Sequence, residues 1–306
     1  MVDRPPHPVA RRGNGMSPAA RLASARATSD VSSPPPGAQE PAGHPDGVRA
    51  TARIRAAHNG RVTTLPQLRS DGPFHLRRLR TGGNAARVGI IGAMSAPLGG
   101  DRLSLDITAE DRAELEVTTA AATLALRGPT TAPATYDVRL SVAEHAILRW
   151  LPQPLISAAG SNLRQTCTVE LDATARLVLR EEQLLGRAGE EPGHLVSRIL
   201  VRRAGRKLLD QHTAYGSPEL GWDGPAVLNG NRAVGQLLLV GPGVNARPDP
   251  VLLREGSKDG CALLAPLAEG PALLATAVAP TSSVLRELLD EAHAHALGRQ
   301  RGWSGA

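Results

Sequence analysis

The chain has 306 residues, 41% of them apolar, and carries a net charge of +6. That length supports one large domain or two ordinary ones around a real apolar core. Aromatics make up only 2% and the arginines are scattered rather than grouped, which argues against a base-stacking or basic-tract nucleic-acid surface.

Residues 1–48 are rich in Pro, Ala, Ser, Gly and Arg, include Pro34-Pro35-Pro36, and show no periodic apolar face. Such a segment cannot bury enough surface to offset its ordering entropy and is expected to be a disordered tail. Arg11-Arg12 is followed by no apolar stretch, so a secretory or twin-arginine signal is not expected. No run of about 18 apolar residues suggests a membrane span. The two cysteines, Cys167 and Cys261, stand far apart, and no disulfide framework is expected.

From residue 49 the texture changes. Ala52 to Ala57 and Arg61 to Leu65 flank His58-Asn59-Gly60, a hairpin signal in which Asn-Gly suits a type I′ turn. Strands are then expected at Phe74 to Leu79, Val88 to Met94, Leu103 to Ile107, Leu115 to Thr119, Thr135 to Val142 and Ala146 to Trp150. More follow at Thr166 to Leu171, Arg176 to Leu179, and Ile199 to Arg203 with Lys207 to Thr213, the last two joined at Ala204-Gly205. Residues 216–232 read as a long Gly- and Pro-rich loop. Strands resume at Gln236 to Val240 and Ala272 to Val278. One helix closes the chain: Ser282 or Ser283 is expected to cap it, Val284, Leu285, Leu288, Leu289 and Ala292 fall at helical spacing, and Gly298 ends it. The expected fold is mostly β, with many short strands in packed sheets of sandwich or β-helix type and a C-terminal α-helix. No fixed period of about 20–50 residues is visible, so a simple repeat array is not expected.

Motifs that carry chemistry are scarce. Gly241-Pro242-Gly243-Val244-Asn245-Ala246 loosely matches a dinucleotide fingerprint, but Arg247-Pro248-Asp249-Pro250 follows where a helix would have to begin, so a plain loop is expected. The chain contains no P-loop, no GxSxG elbow, no CxxC and no HExxH. His293 and His295, two apart on the helix, face about 200° from each other and cannot share an ion; they read as surface histidines. Cys167 reads as an inert buried thiol in a strand. Asp101, Asp106, Glu181, Glu182, Glu190 and Glu191 could offer oxygens to a passing cation, yet isolated acids are mostly solvated loop residues. Trp150-Leu151-Pro152-Gln153-Pro154-Leu155-Ile156 has no simple structural reading. Two prolines after a strand fix φ and remove ladder donors, which makes a rigid extended segment fit for a framework or an interface.

That segment, with Gly160 following, resembles the WLPQPxI…G signature of the UreD (UreH) urease accessory proteins. Other landmarks occur in the family's order. Gly99-Gly100-Asp101-Arg102-Leu103 resembles its GGDxL element, and Thr118 to Thr123 its TTQAAT element. Glu181 with Gly186-Arg187 resembles ExxxxGR, and Ser197-Arg198 through Val201 to Gly205 and Leu208-Leu209-Asp210 its SR…VRRxG…LLD hairpin. Ala120, Leu124, Arg149 and Ser157-Ala158 depart from the usual residues.

The resemblance implies a mostly β, cytoplasmic urease maturation factor spanning residues 49–306 and not an enzyme. It implies a scaffold that binds UreF and UreG, docks on apo-urease and assists nickel insertion, with no membrane or nucleic-acid partner. It implies no tightly bound cofactor, only transient Ni2+, since transfer needs weak, exchangeable ligands. Asp101 and Glu181 are the candidates for the nickel path; Gly99, Gly100, Trp150, Leu151, Pro152, Gln153, Pro154, Ile156 and Arg187 are the interface or framework candidates. The competing readings are a β-structured scaffold with no tie to urease, a β-rich hydrolase with an unseen triad, and a nucleic-acid binder driven by charge.

Overall fold

In the computed structural model the residues described are 47–244, 249–254, 256 and 259–298. The expected tail, almost all of it, and Asn245 to Pro248 of the fingerprint-like loop lie outside them. The chain opens with two hairpins, β1 (Arg49–His58) with β2 (Thr63–Arg69) and β3 (Phe74–Leu79) with β4 (Ala86–Gly92). Next come β5 (Arg102–Ala109), β6 (Glu114–Thr119), β7 (Thr123–Ala125), β8 (Ala134–Val142), β9 (Ile147–Leu151) and β10 (Leu155–Ser157). Then follow β11 (Asn162–Leu171), β12 (Arg176–Leu185), β13 (His194–Arg203) and β14 (Arg206–Tyr215). After residues 216–232, which form turns and loop as expected, come β15 (Ala233–Val240), β16 (Val251–Leu253), β17 (Cys261–Pro266), β18 (Ala272–Ala279) and α1 (Ser282–Gly298).

The strands form two sheets. The smaller runs β14-β13-β11-β8-β5-β1-β2; the larger runs β16-β17-β18-β15-β12-β9-β6-β4-β3, with β10 beside β12 and β7 beside β10. From β4 to β13 the chain crosses repeatedly from one sheet to the other. Strands β5, β8, β11 and β13 therefore lie parallel in one sheet, and β4, β6, β9 and β12 in the other. This is a stack of β-coils, a solenoid-like core. The expectation of no repeat array is corrected accordingly. Leu105, Val138, Cys167 and Ile199 occupy one rung position at intervals of 33, 29 and 32 residues. Uneven intervals hide the period from a fixed-length comparison.

The corners carry the repeat more openly. Glu110 to Ala113, Ala143 to Ala146 and Asp172 to Ala175 each make a four-residue turn, closed by the N–H of the final alanine on the carbonyl three residues back. All three alanines are fully buried. Successive corners are tied by Arg112 N to Glu144 O at 3.0 Å and His145 N to Thr174 Oγ1 at 2.9 Å.

Both expected hairpins form. Ala204 and Gly205 hold φ of 48° and 74°, as a two-residue type I′ turn requires. The first hairpin uses a longer turn than the type I′ expected, because the Asn59 side chain accepts from the N–H groups of Arg61 and Val62 at 3.1 and 3.0 Å. Strand β2 consequently starts later than expected and contains Pro66, tolerated at the edge of its sheet.

One apolar core, made of Leu, Val, Ile and Ala with few aromatics, fills the space between the sheets. A second core lies between the larger sheet and α1 and includes Leu237, Leu239, Leu264, Leu285, Leu288 and Leu289. Thr281, one residue before the expected cap, caps the helix: its carbonyl takes the Leu285 N–H and its hydroxyl the Val284 N–H. Gly235 admits the helix to close range, since a Cβ there would lie 2.7 Å from Leu289 Cδ1. His293 and His295 are half-buried on α1 rather than surface residues. Among the described residues no helix is long and apolar enough to cross a membrane.

Candidate functional site

Glu181 lies in β12, and the pleat turns its side chain inward, between the sheets. It is 6% exposed. The Cys167 thiol, on β11, stands beside the carboxyl and favours its charged form, while Oε1 is buried with no hydrogen-bond partner. Burial pushes the acid up from 4.5 to about 7, against the smaller lowering effect of the thiol. The thiol is pushed well up in turn, by burial first and then by the Glu181 charge. Cys167 is thus a buried strand thiol, and it has a carboxyl beside it that its sequence position did not reveal.

A narrow cavity of about 20 Å³ adjoins Glu181, lined also by Gln183, Ser197, Gln211, Thr213 and Gln236. That volume holds about one water. Gln211 and Gln236 each bring a side-chain oxygen that is buried without a donor. Three unpaired acceptors around one small space favour an occupant that is a donor or a cation. Sequence reading missed both glutamines. The available signal was a lone Gln236 in the otherwise apolar run from Ala233 to Val240, all of it buried. A second cavity of about 300 Å³, largely apolar, lies beside Phe74, Ile90, Leu103, Thr119, Leu124 and Tyr136. The Tyr136 phenol is pushed up by burial and then by the nearby Glu181 charge, so this ring stands close to both places.

Asp101 is 2% exposed and occupied otherwise. Its two oxygens accept the backbone N–H groups of Val48 and Leu98 at 2.7 and 2.8 Å. It ties the start of β1 to the loop before β5. Gly99 and Gly100 let neighbouring backbone pass at close range: a Cβ on Gly99 would lie 2.8 Å from the Thr130 carbonyl, and Gly100 holds φ of 93°. No hydrogen bond or ion pair among the described residues joins Asp101 to Glu181.

The Trp150–Ile156 segment runs from β9 into β10. Trp150 is buried and Leu151 packs against the second core. The Gln153 N–H donates to Thr119 Oγ1 at 2.9 Å, and the Pro154 carbonyl accepts from Thr123 N at 2.9 Å. The Gln153 side chain accepts from Arg286 of α1 at 2.9 Å. Pro152 and Ile156 are half-buried. One glutamine therefore joins the Thr118–Thr123 loop, the Pro-flanked segment and the helix. Beneath it the buried Glu182 takes Arg180 at 2.7 Å, and Arg180 reaches on to Asp290. Arg187 turns back on its own loop, with two side-chain bonds of 2.9 Å to Glu190, whose carboxyl is held down to about 2.

Among the described residues no group of three or more His, Cys, Asp or Glu is placed to cage a metal ion. Fold and site together define a coiled β scaffold with a polar pocket in its interior. The UreD urease accessory protein family matches residues 48–303. The chain is 59% identical over 273 residues to urease accessory protein UreD 2 of Saccharopolyspora erythraea, covering 89% of this chain and 96% of that protein. It is 54% identical over 248 residues to urease accessory protein UreD of Streptomyces coelicolor, covering 80% and 96%. The chain belongs to the UreD family of urease accessory proteins.

Proposed function

We propose that this protein is a cytoplasmic urease maturation factor, a non-enzymatic scaffold that binds UreF and UreG, docks on apo-urease and assists the insertion of nickel. The observation that carries the reading is the family match across nearly the whole of the coiled β domain, residues 48–303. The interior supports its chemical part. Nickel is the cargo, so the ligands on its path must let it go. Glu181 offers an unpaired buried oxygen beside a cavity lined by neutral glutamine and hydroxyl groups, a weak set with no thiolate cage. Asp101 would have to give up two backbone N–H bonds to touch the ion, so the path is proposed through Glu181.

The test is co-purification of the full chain with UreF, UreG and apo-urease from the same genome, followed by assay of nickel in the urease. A stable complex that raises nickel content is expected, and Glu181→Gln is expected to lower that content while leaving the complex intact. Failure of folded partners to associate would overturn the scaffold reading. Full nickel loading by Glu181→Gln would overturn the path.

A further inference from the structure

The pocket at Glu181 is built from side chains of both sheets. On the larger sheet Glu181 of β12 is the direct cross-strand partner of Gln236 of β15, so the two rise from one face with their β-carbons about 5 Å apart. On the smaller sheet Ser197 of β13 is the direct partner of Thr213 of β14, and Gln211 lies two residues along β14 on the same face. The space they share is about 20 Å³, room for one water-sized occupant.

The chemistry of this space is one-sided. Glu181, Gln211 and Gln236 each bring a buried side-chain oxygen to which no protein group donates. Glu181 and Gln236 are only 6% and 8% exposed, so the hydration they lose must be replaced from within. Among the described residues no basic side chain lines the cavity. A water molecule is a poor match: its two O–H groups leave one of the three acceptors unpaired and bring no charge to set against the carboxylate. A divalent ion overshoots, because one carboxylate among neutral amides and hydroxyls would leave a net positive charge sealed in a low-dielectric interior. A monovalent cation brings the sum to zero. Oxygen donors alone suit a hard ion. The space then sets its size, for K+ and NH4+ are close to a water molecule, Li+ and Na+ are smaller, and organic cations are too large.

We infer that this pocket is a binding site for one monovalent cation of water's size, potassium or ammonium, held by the side-chain oxygens of Glu181, Gln211 and Gln236, with the hydroxyls of Ser197 and Thr213 completing the oxygen shell. The ion joins β12 and β15 of one sheet to β13 and β14 of the other, so its binding stabilises the fold by the free energy of association. The site goes beyond the maturation reading and does not depend on it. Any nickel that passes Glu181 must first displace this ion.

The experiment is thermal unfolding of the full chain at about pH 8, with the chlorides of potassium, ammonium, sodium and choline exchanged at constant ionic strength. Potassium and ammonium are each expected to raise the melting temperature saturably, by about 3 °C or more over sodium or choline. Gln236→Met keeps the length of the side chain and removes its oxygen; it is expected to abolish that rise while still melting cooperatively in choline. Glu181→Gln removes the charge and is expected to abolish the rise as well, and it decides the matter should Gln236→Met not fold. A rise with potassium alone or ammonium alone names the ion and supports the site. Equal melting in all four salts overturns it in favour of water. A rise that survives undiminished in either folded variant places the ion elsewhere and overturns the assignment to this pocket. No partner enters the measurement, so its failure leaves the maturation reading untouched.

Discussion

Glu181 and Asp101 are both buried carboxyls, and their surroundings give them opposite characters. Asp101 receives two backbone N–H groups, one on each oxygen, and is held in a joint. Glu181 lies beside a thiol, keeps one bare oxygen, and is pushed by burial from 4.5 to about 7. A raised carboxyl contributes stability that is present in full below its unfolded value and is lost as pH rises through its folded value. Melting temperatures measured from about pH 4 to 8 should therefore show a wild-type decline between 4.5 and about 7 that Glu181→Gln lacks. The variant should overtake the wild type at the upper end. Parallel curves would mean that folding leaves the titration of Glu181 unshifted. That Glu181 is acidic and follows a strand was plain in the sequence. That Cys167 and Gln236 face it was not, because those contacts join β12 to β11 and β15 only after coiling.

At the scale of elements, most strands declare themselves by alternation, and the Ala204-Gly205 hairpin by its turn residues. Three-residue pieces such as β7, β10 and β16 do not, since a ladder that short is held by its neighbours and not by its own pattern. Strand β17 was also missed: its sequence, Cys-Ala-Leu-Leu-Ala-Pro, fits a helix turn as well as a strand, and pairing with β18 decides the matter. Helix α1 shows the converse. Its apolar stripe was legible, but its close seat on the sheet depends on a glycine far away in sequence. Gly235→Val should destabilise the fold by about 1–3 kcal/mol through forced movement of Leu285 and Leu289. Urea unfolding would register it, and an unchanged midpoint would mean the helix can shift without cost.

Across the whole molecule, the basic balance is largely neutralised on the outer face of the smaller sheet. Arg53 and Arg139 flank Asp106, Arg55 meets Glu110, Arg202 meets Glu170, and Arg198 and Lys207 share Asp210. Each exposed pair adds little stability, but together they set an acid beside many of the cations of that face, although Arg49, Arg102 and Arg164 lie on one rung without an ion pair among the described residues. Titration with duplex DNA at about 0.15 M salt should accordingly show no saturable binding. A steep salt-dependent affinity would restore the charge-driven reading set aside at the outset.

What the amino-acid sequence determined by itself was local: the strand periodicity, two hairpins, the stripe of α1, and the order of short elements from Gly99-Gly100-Asp101 to Arg187 that marks the family. What only the tertiary structure decided was which of these face one another. Coiling at intervals of 33, 29 and 32 residues sets β12 against β11 and closes the polar pocket around Glu181. Such relations depend on loop lengths and on cross-sheet packing between residues distant in the chain, and no run of neighbouring residues encodes them.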